Sequence, residues 1–201
     1  MSSGFTKNIL LTGATGMVGK PVAQYLNSKG YRITGLAREK PDWWFEGQHF
    51  ISFDLAVHDL NQLRESIVGY DFVMHACDIA KQDVQKNKKI ALELFRISRE
   101  SAIPSFIYFS SIRVYAGVVG DVDEDTLTVP AAGDVYGACK QEIEKSLAGE
   151  NAQDMTLTVL RLGNVFNENT PHKIPAKTDI ITRILHAGRN DHLIHSRNVA
   201  F

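Results

Sequence analysis

Strand-length apolar runs alternate with helical patterns along most of this chain. The apolar runs cover 8–12, 32–37, 50–54, 72–77, 106–110 and 157–161, and Gly, Pro, Asp, Ser or Asn residues bound each of them. Helical spacing occupies segments between them, at 18–29, 60–67, 84–101 and 135–148. Because the runs are continuously apolar and are separated by helices, the pattern predicts a three-layer α/β fold with a doubly wound parallel sheet.

The charge balance and the cysteines limit the kinds of partner and compartment. Among 201 residues, 22 Lys and Arg nearly balance 23 Asp and Glu, so the net charge does not favour nucleic acid or an acidic membrane. The segment before Ile9 has no apolar stretch, and the apolar runs are strand-sized, so we expect neither an export signal nor a membrane span. The balanced charge instead favours a small-molecule partner. Cys77 and Cys139 do not form a C-x-x-C pair, which favours reduced thiols and a cytoplasmic setting. His192 and His195 lack a third ligand at metal spacing, so no metal site is expected.

A glycine-rich segment, Thr-Gly-Ala-Thr-Gly-Met-Val-Gly at 12–19, directly follows the first apolar run. Glycines at this spacing allow a tight turn, close approach of the backbone to a pyrophosphate, and close packing of the next helix on the strand. The N–H groups of that helix would face the phosphates. The alternative is a purely structural turn, but the position between first strand and first helix favours a Rossmann-type dinucleotide site. The predicted cofactor contacts of this segment are Gly13, Thr15, Gly16, Met17, Val18 and Gly19.

The ends of the second and third strands bear on which dinucleotide is bound. Ala37 stands where an acidic residue would bind the ribose 2′-hydroxyl of NAD, and Arg38 follows as a cation suited to a 2′-phosphate. NADP is therefore slightly favoured over NAD, although Glu39 keeps open that Arg38 is a solvated loop residue. Asp54, followed by Leu55, either contacts the adenine amino group or caps the next turn.

Tyr136 and Lys140 are four residues apart in a predicted helix and therefore lie on one face of it. An ammonium near a phenol helps to lower the pKa of the phenol, which makes the tyrosine usable as an acid or base. The spacing alone is weak evidence, since Tyr25 and Lys29 share it on the first predicted helix. What favours the first pair is the fifth strand, whose carboxyl end delivers two serines to the same crevice.

These features, in this order, resemble the extended short-chain dehydrogenases/reductases, the group that includes NAD(P)-dependent nucleotide-sugar epimerases, dehydratases and ketoreductases. The matching landmarks run nearly end to end. They are the glycine segment at 12–19, Asp54-Leu55, His75-Ala76-Cys77, Asn87, Ser110-Ser111 with Tyr115, Tyr136-x-x-x-Lys140, and Arg-Leu-Gly-Asn-Val-Phe at 161–166.

The resemblance implies roles for individual residues. For catalysis it implies Ser111 as the catalytic hydroxyl, Tyr136 as the acid or base, and Lys140 as its partner and a contact to the nicotinamide ribose. Ser110 would be supporting or structural, and Ala76 would contact the cofactor. The implied substrate contacts are Ser111, Arg113 and Asn164, although Asn164 could instead be a turn residue.

The resemblance implies an NAD(P)-dependent oxidoreductase or epimerase that transfers hydride reversibly on a nucleotide-sugar or similar carbinol. It also implies a homodimer formed through the third and fourth main helices. A non-catalytic NAD(P)-binding module, regulatory or redox-sensing, is the alternative. Ile112-Arg113 stands where sugar 4,6-dehydratases carry Asp-Glu, which disfavours dehydration. Family members are longer, so we expect a dinucleotide-binding domain at 1–162 and the start of a small or incomplete, apparently truncated, substrate-binding region at 163–201.

Overall fold

The computed structural model describes residues 7–79, 83–150, 154–163 and 165. Within them, parallel strands form a six-stranded sheet in the order β3-β2-β1-β4-β5-β6. The strands are β1 (Asn8–Thr12), β2 (Arg32–Ala37), β3 (His49–Ser52), β4 (Phe72–His75), β5 (Ser105–Ser111) and β6 (Thr156–Leu162). The described α-helices are α1 (Gly19–Ser28), α2 (Val84–Glu100) and α3 (Val135–Ala148). The predicted Rossmann-type α/β sheet is therefore confirmed.

Two hydrophobic cores lie on opposite faces of the sheet, because successive strand residues point to opposite sides. One core joins Leu10 and Phe106 of the sheet to Leu94 of α2, with residues of α3 beside them. The other joins Ile9 of β1 to Leu26 of α1. Burying each such side chain contributes about 1.5–3 kcal/mol, so the two cores hold helices on both faces and complete the three layers.

The predicted helix at 60–67 is wrong in type. Leu60, Leu63 and Ile67 are buried, as their spacing indicates, but the segment forms a 3₁₀ turn at Leu60–Leu63. The N–H of Ser66 bonds to the Leu63 carbonyl three residues back, and Gly69, with φ of +77°, turns the chain toward β4. The segment is too short to offset the cost of starting an α-helix.

No helix in the described part of the chain is long and apolar enough to cross a membrane. Residues 1–6, 80–82, 151–153, 164 and 166–201 lie outside the described residues. The predicted boundary between 162 and 163, and the substrate-binding region that follows it, therefore remain predictions.

Candidate cofactor and catalytic site

The glycine segment leaves β1 at the centre of the sheet, where β2 lies on one side and β4 on the other. In such sheets this reversal of strand order opens a crevice at the carboxyl ends of the strands. Gly13 has a φ of +68°, and a Cβ on it would lie 2.7 Å from the Ala76 carbonyl oxygen. A Cβ on Gly19 would lie 2.1 Å from the Gly13 carbonyl oxygen. Side chains do not fit at either position, so bare backbone forms this part of the crevice.

A groove of about 290 Å³ opens beside the glycine segment. Several predicted cofactor contacts line it: Gly13, Thr15, Gly16, Arg38, Asp54, Leu55 and Ala76. Met17, Val18 and Gly19 are not among the lining residues. The Met17 side chain is exposed, Val18 precedes α1, and Gly19 is the first residue of α1. Sequence reasoning missed Phe53, Cys77, Asp78 and Ile79, which also line the groove and whose signal is that they closely follow β3 or β4.

Arg38 and Asp54 lie at the β2 and β3 side of this groove. Arg38 is exposed and carries its cation at the groove edge. Asp54 accepts a hydrogen bond from the Ala56 N–H at 2.8 Å, as the capping alternative predicts, while still lining the groove. The cap engages one carboxylate oxygen, so the interpretation as an adenine contact stays a prediction.

Helix α3 positions Tyr136 and Lys140. Asp134 precedes the helix and caps it by accepting a hydrogen bond from the Gly137 N–H at 3.0 Å. The glycine at 137 matters because a Cβ there would lie 2.8 Å from the Arg113 carbonyl oxygen. The short segment after β5 therefore packs directly on the first turn of α3. This contact brings the end of β5 to the tyrosine.

Ser111 is the last residue of β5 and is buried. Its oxygen accepts a hydrogen bond from the Arg113 N–H at 3.3 Å, and its hydroxyl also interacts with the Tyr136 phenol as a hydrogen-bond partner. The Lys140 ammonium lies 5.7 Å from the centre of the Tyr136 ring. The serine, tyrosine and lysine singled out in the sequence therefore lie together.

Lys140 is held more tightly than its sequence spacing indicates. Its Nζ donates to Asp78 Oδ1 and to the Phe109 carbonyl, both at 2.9 Å. The same ammonium lies 4.9 Å from the centre of the Tyr108 ring, and the Lys140 side chain is 4% exposed. Since a buried ammonium needs a counter-charge, Asp78 is part of this site.

The pKa of Tyr136 moves opposite to the expected direction. Burial of the phenol, and after it the negative charge of Asp78, raise the pKa of Tyr136 to about 12. The Ser111 hydrogen bond and the Arg113 charge work in the lowering direction but do not outweigh them. The sequence predicts that Lys140 lowers the pKa of Tyr136. In the structure the Lys140 ammonium is paired with the Asp78 carboxylate, which itself raises that pKa.

Arg113, predicted to contact substrate, borders the site at its exposed side. Its Nε donates to Asp134 Oδ2 at 2.8 Å, and its guanidinium lies 5.9 Å from the centre of the Tyr136 ring. The Arg113 side chain is 57% exposed, so it keeps donors free for a ligand. Asn164, the other predicted substrate contact, lies outside the described residues, as do His192 and His195.

Ser110, next to the predicted catalytic serine, has a structural environment. Its hydroxyl donates to Glu144, which also accepts from Arg161 Nη2 at 2.9 Å. Arg161 in turn contacts the hydroxyl of Tyr115 and the Glu124 carbonyl. This network, which the sequence did not reveal, ties β5, α3 and β6 to the loop beyond β5.

The fold and the glycine crevice define a protein of the Rossmann type, with the site at the switch in strand order. The model of the NAD dependent epimerase/dehydratase family matches residues 9–198, and the chain belongs to that family. Its structural neighbours include UDP-sugar 4-epimerases and a short-chain dehydrogenase/reductase superfamily protein, in agreement with the resemblance.

The solved structures that the chain resembles include a UDP-glucose 4-epimerase, with a TM-score of 0.67, 26% identity, and coverage of 79% of this chain and 52% of that one. A Bacillus cereus UDP-glucuronic acid 4-epimerase in complex with NAD has a TM-score of 0.61 at 24% identity, with 78% of this chain and 56% of that one covered.

Two of the sequence relatives match about half of the chain. The Dictyostelium discoideum sterol-4-alpha-carboxylate 3-dehydrogenase, decarboxylating, is 31% identical over 114 residues, covering 53% of this chain and 35% of that protein. An uncharacterized protein of Mycobacterium tuberculosis is 26% identical over 103 residues, which are 51% of this chain and 12% of that protein. The chain thus spans about half the length of the similar structures and less of these relatives.

Proposed function

We propose that this chain functions as an NAD(P)-dependent oxidoreductase or epimerase. It would act on a nucleotide-sugar or similar carbinol by reversible hydride transfer. The observation that carries the proposal is the grouping of Ser111, Tyr136 and Lys140. Asp78, which bonds Lys140, also lines the groove beside the glycine segment. A hydroxyl that holds the reacting oxygen, an ionisable phenol and a cation are groups suited to proton transfer at a carbinol.

The glycine segment supports dinucleotide binding. No side chain fits at Gly13 or Gly19, so bare backbone forms this part of the crevice, as close approach to a pyrophosphate requires. Thr15 and Gly16 would hold the pyrophosphate, Arg38 and Asp54 the adenosine half, and Lys140 the nicotinamide ribose. When bound, the nicotinamide supplies the acceptor or donor of the hydride.

The chain itself supplies position and proton transfer. The Ser111 hydroxyl holds the reacting oxygen of the substrate, and the Tyr136 phenolate takes the carbinol proton in the oxidative direction. In the reductive direction the Tyr136 phenol returns that proton to the carbonyl oxygen. Arg113, with free donors at the site's exposed side, would bind an anionic part of the substrate such as a diphosphate.

Binding of the four nicotinamide dinucleotides tests the cofactor half of the proposal. We expect calorimetric titration to give a preference for NADP and NADPH, which Arg38→Ala reduces about tenfold or more by removing a charge-assisted contact. Arg32→Ala is the matched control, because Arg32 begins the same strand at its opposite end. Equal affinities of the parent protein for NAD and NADP would contradict the preference, and the similar structures in complex with NAD make NAD the alternative.

Substitution of the tyrosine tests the catalytic half. UDP-glucose and UDP-glucuronic acid, each in complex with a structurally similar protein, are the first substrates to assay, by NMR of the sugar and by the absorbance of reduced nicotinamide. Tyr136→Phe is expected to lower turnover at least a hundredfold and to leave dinucleotide affinity within about twofold. Tyr25→Phe is the matched control, since Lys29 lies 5.4 Å from its ring on α1. Turnover that survives in Tyr136→Phe contradicts the mechanism.

The alternative, a non-catalytic NAD(P)-binding module, is favoured if dinucleotide binds but no carbinol substrate turns over. Dehydration remains disfavoured, because Ile112 and Arg113 supply no carboxylate beside Ser111. We also propose a homodimer formed through α2 and α3, to be measured by sedimentation equilibrium.

We further propose a cytoplasmic setting. Cys77 and Cys139 are free thiols. Burial raises the pKa of Cys77 to about 11 and also raises that of Cys139, which makes both poor nucleophiles.

A further inference from the structure

Asp78 follows β4 by three residues, on the chain segment that leads toward α2. No motif in the sequence singled it out. It lines the groove beside the glycine segment, and its Oδ1 lies 2.9 Å from Lys140 Nζ. The Asp78 side chain is 27% exposed, whereas that of Lys140 is 4% exposed. One carboxylate therefore faces both the groove and the buried ammonium of the site.

The ammonium of Lys140 has a fixed position because several groups hold it at once. Asp78 and the Phe109 carbonyl each accept a hydrogen bond, and the Tyr108 ring lies beneath the charge. Of these groups Asp78 alone carries a full negative charge. Removing one partner of a buried ion pair leaves the other charge uncompensated, so the position of Lys140 depends strongly on Asp78.

The Tyr136 phenol is surrounded by groups from several elements. From its own helix come Cys139 and Lys140; Ser111 and Arg113 come from the end of β5 and the segment after it, and Asp78 comes from the segment after β4. Asp78 and Cys139 disfavour the phenolate, while Ser111 and Arg113 favour it. Asp78 has the largest electrostatic effect among them.

We propose that Asp78 is a positioning residue of the Ser111, Tyr136 and Lys140 site, one that fixes the Lys140 ammonium and adds a negative charge beside the phenol. The proposal deepens the proposed function and rests on it for the role of Tyr136. It has a consequence for ligand binding, because the same carboxylate lines the groove. A cation brought to Asp78 by a ligand in the groove neutralises its charge, and that favours the phenolate.

Titration of the phenol in the ligand-free protein tests the proposal without any substrate. Tyr136 is replaced by 3,5-difluorotyrosine, whose ring fluorines lower the pKa of the phenol into a range in which the fold persists, and ¹⁹F NMR follows its ionisation. Asp78→Asn is expected to lower the midpoint by about one pH unit or more, since it removes a nearby like charge and leaves Lys140 unpaired. Asp78→Glu keeps the charge. Its midpoint is therefore expected to differ from that of the parent by no more than about a third of the shift seen in Asp78→Asn.

Asp71→Asn is the matched control. Asp71 is paired with Lys7 and lies just before the amino end of β4, whereas Asp78 follows the carboxyl end of that strand. It is expected to leave the midpoint unchanged. A midpoint in Asp78→Asn that equals that of the parent overturns the proposal, and so does a shift in Asp78→Glu as large as that of the asparagine variant. If the asparagine variant does not fold, Asp78→Ser removes the same charge and is titrated in its place.

An activity readout separates this proposal from the proposed function. In any carbinol oxidation that the protein catalyses, Asp78→Asn is expected to move the rising limb of kcat/KM to lower pH by the shift that NMR measures. A shift in the NMR midpoint without turnover on any carbinol supports the positioning role and contradicts the proposed function. Turnover with an unmoved NMR midpoint supports the proposed function and overturns the role of Asp78.

Discussion

The hydroxyl of Tyr108 is the basis of a prediction about stability. Tyr108 is 1% exposed in the middle of β5, and its hydroxyl has no hydrogen-bond partner among the described residues. Its ring stacks on that of His75, with 5.9 Å between the ring centres, and the carbon part of the side chain is well packed. Folding therefore removes this hydroxyl from water, and no described residue replaces the hydrogen bonds that it loses.

The expected effect of Tyr108→Phe is a gain in the free energy of unfolding. A buried hydroxyl without a partner costs about 1–3 kcal/mol, and Phe keeps the ring packing while it removes that cost. Because the oxygen atom also has favourable van der Waals interactions that Phe lacks, we expect a net gain of about 1 kcal/mol. This gain corresponds to a Tm higher by about 2–4 °C for a chain of this size.

Tyr115→Phe is the matched control, because the same atom is removed where it is well bonded. The Tyr115 hydroxyl donates to the Asp123 carbonyl at 2.8 Å and contacts Arg161. We expect this variant to lose about 1–2 kcal/mol.

Urea unfolding with an unchanged m-value measures both changes. A Tyr108→Phe variant that loses as much stability as Tyr115→Phe would refute the reasoning, because it would mean that the Tyr108 hydroxyl makes a favourable interaction.

Three further predictions concern the crevice, pH and a helix cap. Gly13→Ala is expected to weaken dinucleotide binding more than tenfold, because the methyl group meets the Ala76 carbonyl, whereas Gly30→Ala, also at positive φ but with open space, keeps the affinity in the same calorimetric titration. Burial lowers the pKa of His75 to about 4 from 6.5. The free energy of unfolding in urea is therefore expected to fall as the pH drops from 6.5 toward 4. If His75→Gln loses as much stability over this pH range as the parent protein, the prediction is contradicted. Asp134→Ala is expected to cost about 1 kcal/mol in thermal unfolding, and Asp134→Asn, which keeps an acceptor, less; equal losses in the two variants contradict a capping role.

Much of the fold was predictable because local patterns and tertiary structure agree. The apolar runs become strands with nearly the predicted bounds, and α3 has the predicted ends at 135 and 148. The exception at 60–67 has helical spacing of its leucines, but spacing reports which side chains are buried and not how tightly the backbone winds. Gly69, at positive φ, turns the chain just after this segment. The segment is therefore too short to form an α-helix despite its periodicity.

The candidate site was predictable where one element carries two of its groups. Tyr136 and Lys140 share a helix face through their spacing, and Ser111 joins them because β5 ends beside α3. Asp78 lies 62 residues from Lys140 in the chain, and no spacing rule connects the two. Burial of the phenol, and after it the charge of Asp78, raise the pKa of Tyr136. Both causes depend on tertiary packing, so the direction could not be read from the helix alone.

The central position of β1 has a consequence for the order of folding during synthesis. Both strands that flank β1 follow it in the chain, and its end at Thr12 meets His75 only 63 residues later. At about 5–20 residues per second, a ribosome takes roughly 3–13 s to add that length. During this interval Ile9, Leu10 and Leu11, which are buried in the finished sheet, still lack the edge that β4 will cover. Strand β1, which is buried at four of its five positions, is thus a segment that a nascent-chain chaperone would have to shield early.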